Sequence, residues 1–112
     1  MTVLGAVPTW RRGLPNEVLR YFLLYHGLIP ARWSGGVSSG WFDAVMREKL
    51  APAGAEFVSA WDVLCNGEGC LTRIGDSAGD ITASDGIHLT EKGSTYLVDA
   101  VIDRVLSGSR PQ

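Results

Sequence analysis

Thr2-Val3-Leu4-Gly5-Ala6-Val7 carries no charged side chain and ends at Pro8, so it reads as a strand buried on both faces. A strand of that kind belongs in a parallel sheet, where neighbours are joined by a crossover of about a dozen residues or more. The next such run is Glu56-Phe57-Val58-Ser59-Ala60-Trp61, and helical patterns fill the interval. Leu14-Pro15-Asn16 opens the first helix, with Pro15 suited to an early helical position. Val18, Leu19, Phe22 and Leu23 form one apolar face, and Gly27 closes the helix. After a Gly/Ser loop at 34–40, Trp41, Phe42, Val45, Met46 and Leu50 repeat the pattern, with Ser38 or Ser39 as cap and Pro52/Gly54 as stop. A long polar loop, roughly 62–88, leads to a last helix at about 90–106. Its buried face is expected to hold Leu97, Val98, Val101, Ile102, Val105 and Leu106. The order strand, helix, helix, strand, loop, helix predicts an α/β chain with a right-handed parallel crossover.

Two strands are too few for this many helices. Stable sheets usually have about four to six, and a lone parallel pair cannot cover three apolar helix faces. The pattern therefore predicts the back half of a larger sheet. At 112 residues, 46% hydrophobic and 20% charged, the chain has the composition of one globular domain. We expect that domain over 1–107, with 108–112 as a disordered tail. Ten basic against twelve acidic side chains give a net charge of −2, which offers no electrostatic reason to expect a nucleic-acid partner. No stretch approaches the ~18 apolar residues of a membrane span. Residues 1–7 lack the basic region of a signal peptide, and Arg11-Arg12 is followed by Gly13-Leu14-Pro15-Asn16 rather than an apolar run. No targeting signal is expected within this stretch.

Cys65 and Cys70 enclose Asn-Gly-Glu-Gly, a segment able to turn tightly enough for a disulfide. Two free thiols remain an alternative. Zinc is the least favoured reading, since only His26 and His88 are left to complete a ligand set, and no metal site is expected. A disulfide would point to an oxidising compartment.

The most informative segment is Ser84-Asp85-Gly86-Ile87-His88-Leu89-Thr90, just before the last helix. An Asp three residues before a His, with Gly between, folds back so that the carboxylate accepts the Nδ1 proton. That fixes the imidazole tautomer and leaves Nε2 as a general base towards a hydroxyl. Against this stands the plainer alternative of a turn Asp beside a surface His. The loop leaves the carboxyl end of the second strand, the side on which open α/β sheets bind ligands.

Asp85-Gly86-Ile87-His88-Leu89-Thr90 resembles the Asp-x-x-His-Leu-(Ser/Thr) block of SGNH hydrolases, which supplies their catalytic Asp and His. The similarity is greatest to the SGNH domains attached to bacterial membrane acyltransferases that acylate surface polysaccharides. Leu4-Gly5-Ala6-Val7-Pro8-Thr9-Trp10 resembles their fourth-strand region, and Trp61-Asp62-Val63-Leu64-Cys65 with Cys70-Leu71 their cysteine loop. The resemblance implies a partial three-layer flavodoxin-like fold and a role as the C-terminal part of an O-acyltransferase or esterase. It further implies an acyl donor and a glycan acceptor as partners, a membrane acyltransferase domain or N-terminal SGNH half beside it, and a periplasmic or extracytoplasmic location. No cofactor is needed for this chemistry.

The nucleophile and oxyanion-hole blocks of the family precede the region that this chain resembles. Gly75-Asp76-Ser77 spells the nucleophile motif but lacks a buried strand before it and a helix start after it. We therefore expect His88 and Asp85 to be two members of a triad whose Ser lies outside this chain. The alternatives are an inactive remnant or binding module, and a small esterase using Ser77. Trp10 and Arg11 are candidates for substrate binding, since aromatic and guanidinium groups suit sugars and anionic glycan groups. His26 reads as a capping residue, and Trp33 and Trp41 as packing residues.

Overall fold

The computed structural model describes residues 2–38 and 40–109, and the side chains up to 106. Its elements in order are β1 (Thr2–Leu4), α1 (Leu14–Tyr25), β2 (Arg32–Trp33), α2 (Trp41–Leu50) and β3 (Glu56–Val58). There follow α3 (Ala60–Leu64), β4 (Cys65–Asn66), β5 (Gly69–Leu71), a 3-10 turn at Ala78–Asp80 and α4 (Glu91–Ser109). β1 and β3 pair in parallel, Thr2 opposite Glu56 and Leu4 opposite Val58, with α1 and α2 in the crossover. Both strands are shorter than the apolar runs that encode them. Beyond Leu4 the strand does not continue, and Trp61 lies within α3 because Ser59 caps that helix, accepting from the Asp62 N–H at 2.9 Å.

A second sheet, β2-β5-β4, is antiparallel and was not foreseen from the sequence. It is built on the tight Asn66–Gly69 turn, with Cys65 opposite Cys70. These two cysteines are joined by a disulfide.

The core gathers Trp10, Leu14, Val58, Ala60, Leu64, Leu97 and Val101, together with both half-cystines. α4 docks through Leu97, Val101 and half-buried Val105, while Val98 and Ile102 are exposed. Gly93 lets α4 lie against the Thr82 carbonyl, where a Cβ would collide. The faces expected to be buried on α1 and α2 are largely exposed, with Val18 packed half-buried against the core and Met46 and Leu50 half-buried. Leu19, Phe22 and Leu23 are more than half exposed, and the buried residues of α1 are Leu14 and Glu17. On α2, Trp41, Phe42 and Val45 are exposed, and the buried residue is Asp43. A two-stranded sheet offers these faces no surface to cover them. Two smaller expectations also change. Gly40 precedes α2 without a side-chain cap, Ser38 binding Thr9 instead, and Ser39 lies outside the described residues. α4 continues to Ser109, so 108 and 109 are helical, and 110–112 lie outside the described residues.

Candidate active site

The segment after β1 carries the polypeptide from the carboxyl end of the parallel sheet to the Asp85 loop. Trp10 N–H donates to the Gly86 carbonyl at 2.7 Å, and Leu14 N–H, opening α1, donates to the Asp85 carbonyl at 3.2 Å. Gly86 is required at this crossing, because a Cβ there would lie 2.8 Å from the Trp10 carbonyl oxygen. The far side of the loop is anchored by Ser84 N–H on the His88 carbonyl, at 2.9 Å. Thr90, just before α4, accepts from Gly93 N–H at 3.1 Å and donates to the Ile81 carbonyl at 2.6 Å. The loop is thus held at both ends by rigid elements.

Within it, Asp85 Oδ1 accepts from the N–H groups of Ile87 (2.8 Å) and His88 (2.7 Å). Asp85 Oδ2 lies 2.7 Å from His88 Nδ1. Hydrogen bonds from the Ile87 and His88 N–H groups, then from the His88 ring, lower the Asp85 pKa to about 2. The carboxylate is therefore ionised at neutral pH and places the ring proton on Nδ1. Nε2 has no protein partner among the described residues, and the His88 side chain is 69% exposed. The arrangement presents an oriented imidazole lone pair to a group arriving from outside.

The other candidates are placed differently. Trp10 is 4% exposed and belongs to the core, fixed by its bridge to Val37 and its bond to Gly86, so it does not line a substrate cleft as expected. Arg11 lines a cleft of about 230 Å3 with Arg12 and Gly36. His26 caps α1 in the left-handed conformation, φ 58°. Trp33 packs edge-on against Tyr21, whereas Trp41 is 64% exposed instead of packed. Ser77 starts the 3-10 turn in a reciprocal capping arrangement with Asp80, and no hydrogen bond links it to His88 among the described residues. Among the described residues, no three His, Cys, Asp or Glu side chains converge as metal ligands would.

Sequence reasoning missed Glu17, a carboxylate only 3% exposed. It faces Arg20 at 3.8 Å and Arg12 at 4.0 Å, beneath Gly36, whose absent Cβ leaves room for Oε2. The flanking arginines are the one signal in the sequence that marks it.

The Asp85–His88 pair thus sits on a loop tied to the segment that leaves the carboxyl end of β1. Residues 37–104 match the family described as "Protein of unknown function (DUF459)", and the chain belongs to this SGNH-like family. A solved structure, described as the Salmonella ser. Paratyphi A lipopolysaccharide acetyltransferase periplasmic domain, aligns at 31% identity with a TM-score of 0.89. The alignment covers 94% of this chain but 41% of that one, so this chain spans about two fifths of that structure's length. The α/β fold with its parallel pair is thus that of an SGNH-type domain. No curated protein matches the chain.

Proposed function

We propose that this chain is the C-terminal part, residues 1–107, of an SGNH-type O-acyltransferase or esterase domain acting on acyl esters of cell-surface glycans. The observation that carries the reading is the 2.7 Å contact between His88 Nδ1 and an Asp85 carboxylate already held by two backbone N–H groups. The likeness to a lipopolysaccharide acetyltransferase domain over nearly the whole of this chain supports the choice of a glycan acceptor.

In this reading a Ser hydroxyl from outside the chain gives its proton to His88 Nε2 as its oxygen attacks the acyl carbonyl of the donor. The leaving group takes that proton from the imidazolium, and a Ser ester remains. An acceptor hydroxyl, or water, then gives its proton to Nε2 and attacks the ester, and His88 returns the proton to the Ser oxygen. Asp85 keeps the ring in one orientation and faces the positive charge in both halves. The oxyanion donors, like the Ser, come from the part of the domain that this chain does not span. In this reading the domain acts on the extracytoplasmic side, beside a membrane acyltransferase; among the described residues no helix is long and apolar enough to cross a membrane.

The test supplies the N-terminal half of an SGNH domain, either fused or co-produced, and follows release of nitrophenol from nitrophenyl acetate. The complemented protein is expected to turn over, the chain alone to show no acyl-enzyme burst, and His88→Ala to abolish turnover. Turnover by the chain alone that is lost in Ser77→Ala would transfer the role to Ser77 and overturn the proposal.

A further inference from the structure

Of the two residues that the sequence suggests for substrate binding, Trp10 is buried and Arg11 is exposed. Arg11 and Arg12 form the turn between the segment after β1 and the start of α1, and with Gly36 they line a cleft of about 230 Å3. The turn is fixed. Gly13 N–H donates to the Trp10 carbonyl at 3.0 Å, and Arg11 N–H donates to the Gly36 carbonyl at 2.8 Å. Trp10 and Leu14, on either side of the turn, are held in the core.

The two guanidinium groups of this turn keep their donors unspent. Among the described residues neither donates a hydrogen bond, and Arg11 has no ionic partner. The carboxylate facing Arg12 is that of buried Glu17, at 4.0 Å, and Glu17 also faces Arg20 at 3.8 Å. Three cations around one carboxylate leave a net charge of +2 here, on a chain whose total is −2. Asp85, whose backbone lies against Gly13, has both oxygens engaged within its own loop. An uncompensated guanidinium favours an oxyanion, which its planar fork meets with paired N–H donors. Carboxylate and phosphate share that chemistry, and a neutral sugar lacks it.

The turn lies between two hydrogen bonds to the dyad loop, Trp10 N–H on the Gly86 carbonyl and Leu14 N–H on the Asp85 carbonyl. A Cβ on Gly13 would be 3.8 Å from the Asp85 Cα, which puts the Arg12 Cα within roughly 9 Å of it. Asp85 in turn meets His88 Nδ1 at 2.7 Å. The cleft and the base therefore belong to one hydrogen-bonded unit at the carboxyl end of the parallel sheet.

We infer that the Arg11–Arg12 turn is an anion subsite, holding a carboxylate or phosphate of the acceptor glycan while one of its hydroxyls meets His88 Nε2. The inference rests on the glycan-directed reading above and adds the charge class of the acceptor.

The test uses the complemented protein, this chain fused to an N-terminal SGNH half, and measures sugar binding by calorimetry with no acyl donor present. Methyl glucuronide and methyl glucoside phosphate supply the two anions, and methyl glucoside the neutral ring. At low salt at least one anionic sugar is expected to bind about tenfold tighter than the neutral one, a margin that shrinks as salt is raised. Preference confined to one anion upholds the subsite and names the group. Arg11→Gln, which gives up no partner among the described residues, should remove most of the margin, and Arg11→Glu should reverse it. Arg104→Gln makes the same charge change beside Glu56, at the amino end of the sheet, and should bind like the parent. Equal binding of anionic and neutral sugars, a margin that survives Arg11→Glu, or an equal loss in Arg104→Gln would each overturn the inference. If the anion preference holds while the fused protein lacks acyl transfer, the subsite stands and the catalytic reading falls. Acyl transfer without any anion preference keeps the catalytic reading and removes the subsite.

Discussion

Asp85 accepts three hydrogen bonds on two oxygens, two of them from backbone that cannot turn away. Its pKa falls from 3.8 to about 2, so the folded state holds the ionised form more tightly than the unfolded chain does. The stabilisation is complete above about pH 4 and is lost as pH falls through about 2. A carboxyl-carbon titration of Asp85 is expected to show its midpoint near 2; a midpoint near 3.8 would mean that the three bonds are not kept in solution. Asp85→Asn keeps the shape but removes the charge and permits the wrong tautomer, so in the complemented protein it should lower acyl transfer on the order of a thousandfold or more. Measured turnover within tenfold of the parent would contradict that role. Both residues are legible in the sequence because three-residue spacing with an intervening Gly is a local device, needing no knowledge of the fold. Glu17 and the exposed Trp41 are not, because whether a helical side chain is covered depends on what packs over the helix.

At the scale of elements, periodicity located every long helix and the parallel pair, but not which helical face is covered. α4 shows why: its apolar positions form two stripes, and Leu97, Val101 and Val105 join the core whereas Val98 and Ile102 stay exposed. Gly93 sets the approach of that stripe to the Thr82 carbonyl. Gly93→Ala is expected to destabilise the chain by about 1–3 kcal/mol in a denaturant melt, as overpacking does. The antiparallel sheet escaped the sequence because its strands are two or three residues long, below the length at which alternation is readable. Its hairpin is closed by Cys65–Cys70, and Cys65→Ser/Cys70→Ser should cost about 2 kcal/mol. A melting curve indifferent to reductant would show that the bond adds nothing to stability.

The whole molecule is less compact than its length predicts: its radius of gyration is 15.2 Å, against roughly 13 Å for a filled domain of this size. Its extents, 53 × 24 × 21 Å, are those of an elongated molecule. Among the described residues no strand pairs with the free edge of β1, and Leu4 is 43% exposed beside it. Such an edge, free of charge and proline along β1, templates further pairing. The chain alone is therefore expected to self-associate or aggregate, and an N-terminal SGNH half supplied in trans should restore solubility, an effect that Leu4→Lys should abolish. A monodisperse monomer with a cooperative, high-temperature melt in sedimentation and calorimetry would refute this picture of a half-domain.

The register that sets Thr2 opposite Glu56 also orders events in time. It joins residues half a chain apart through three rungs, whereas the 65–71 hairpin closes within a single turn. Loop closure taxes distant contacts before it rewards them, so the hairpin forms early and β1 docks late. Because the Asp85 loop is tied to Trp10 and Leu14, just downstream of β1, the dyad reaches its final geometry only at that last step. In hydrogen exchange the amides of β1 should open first, leaving a briefly vacant strand position beside β3.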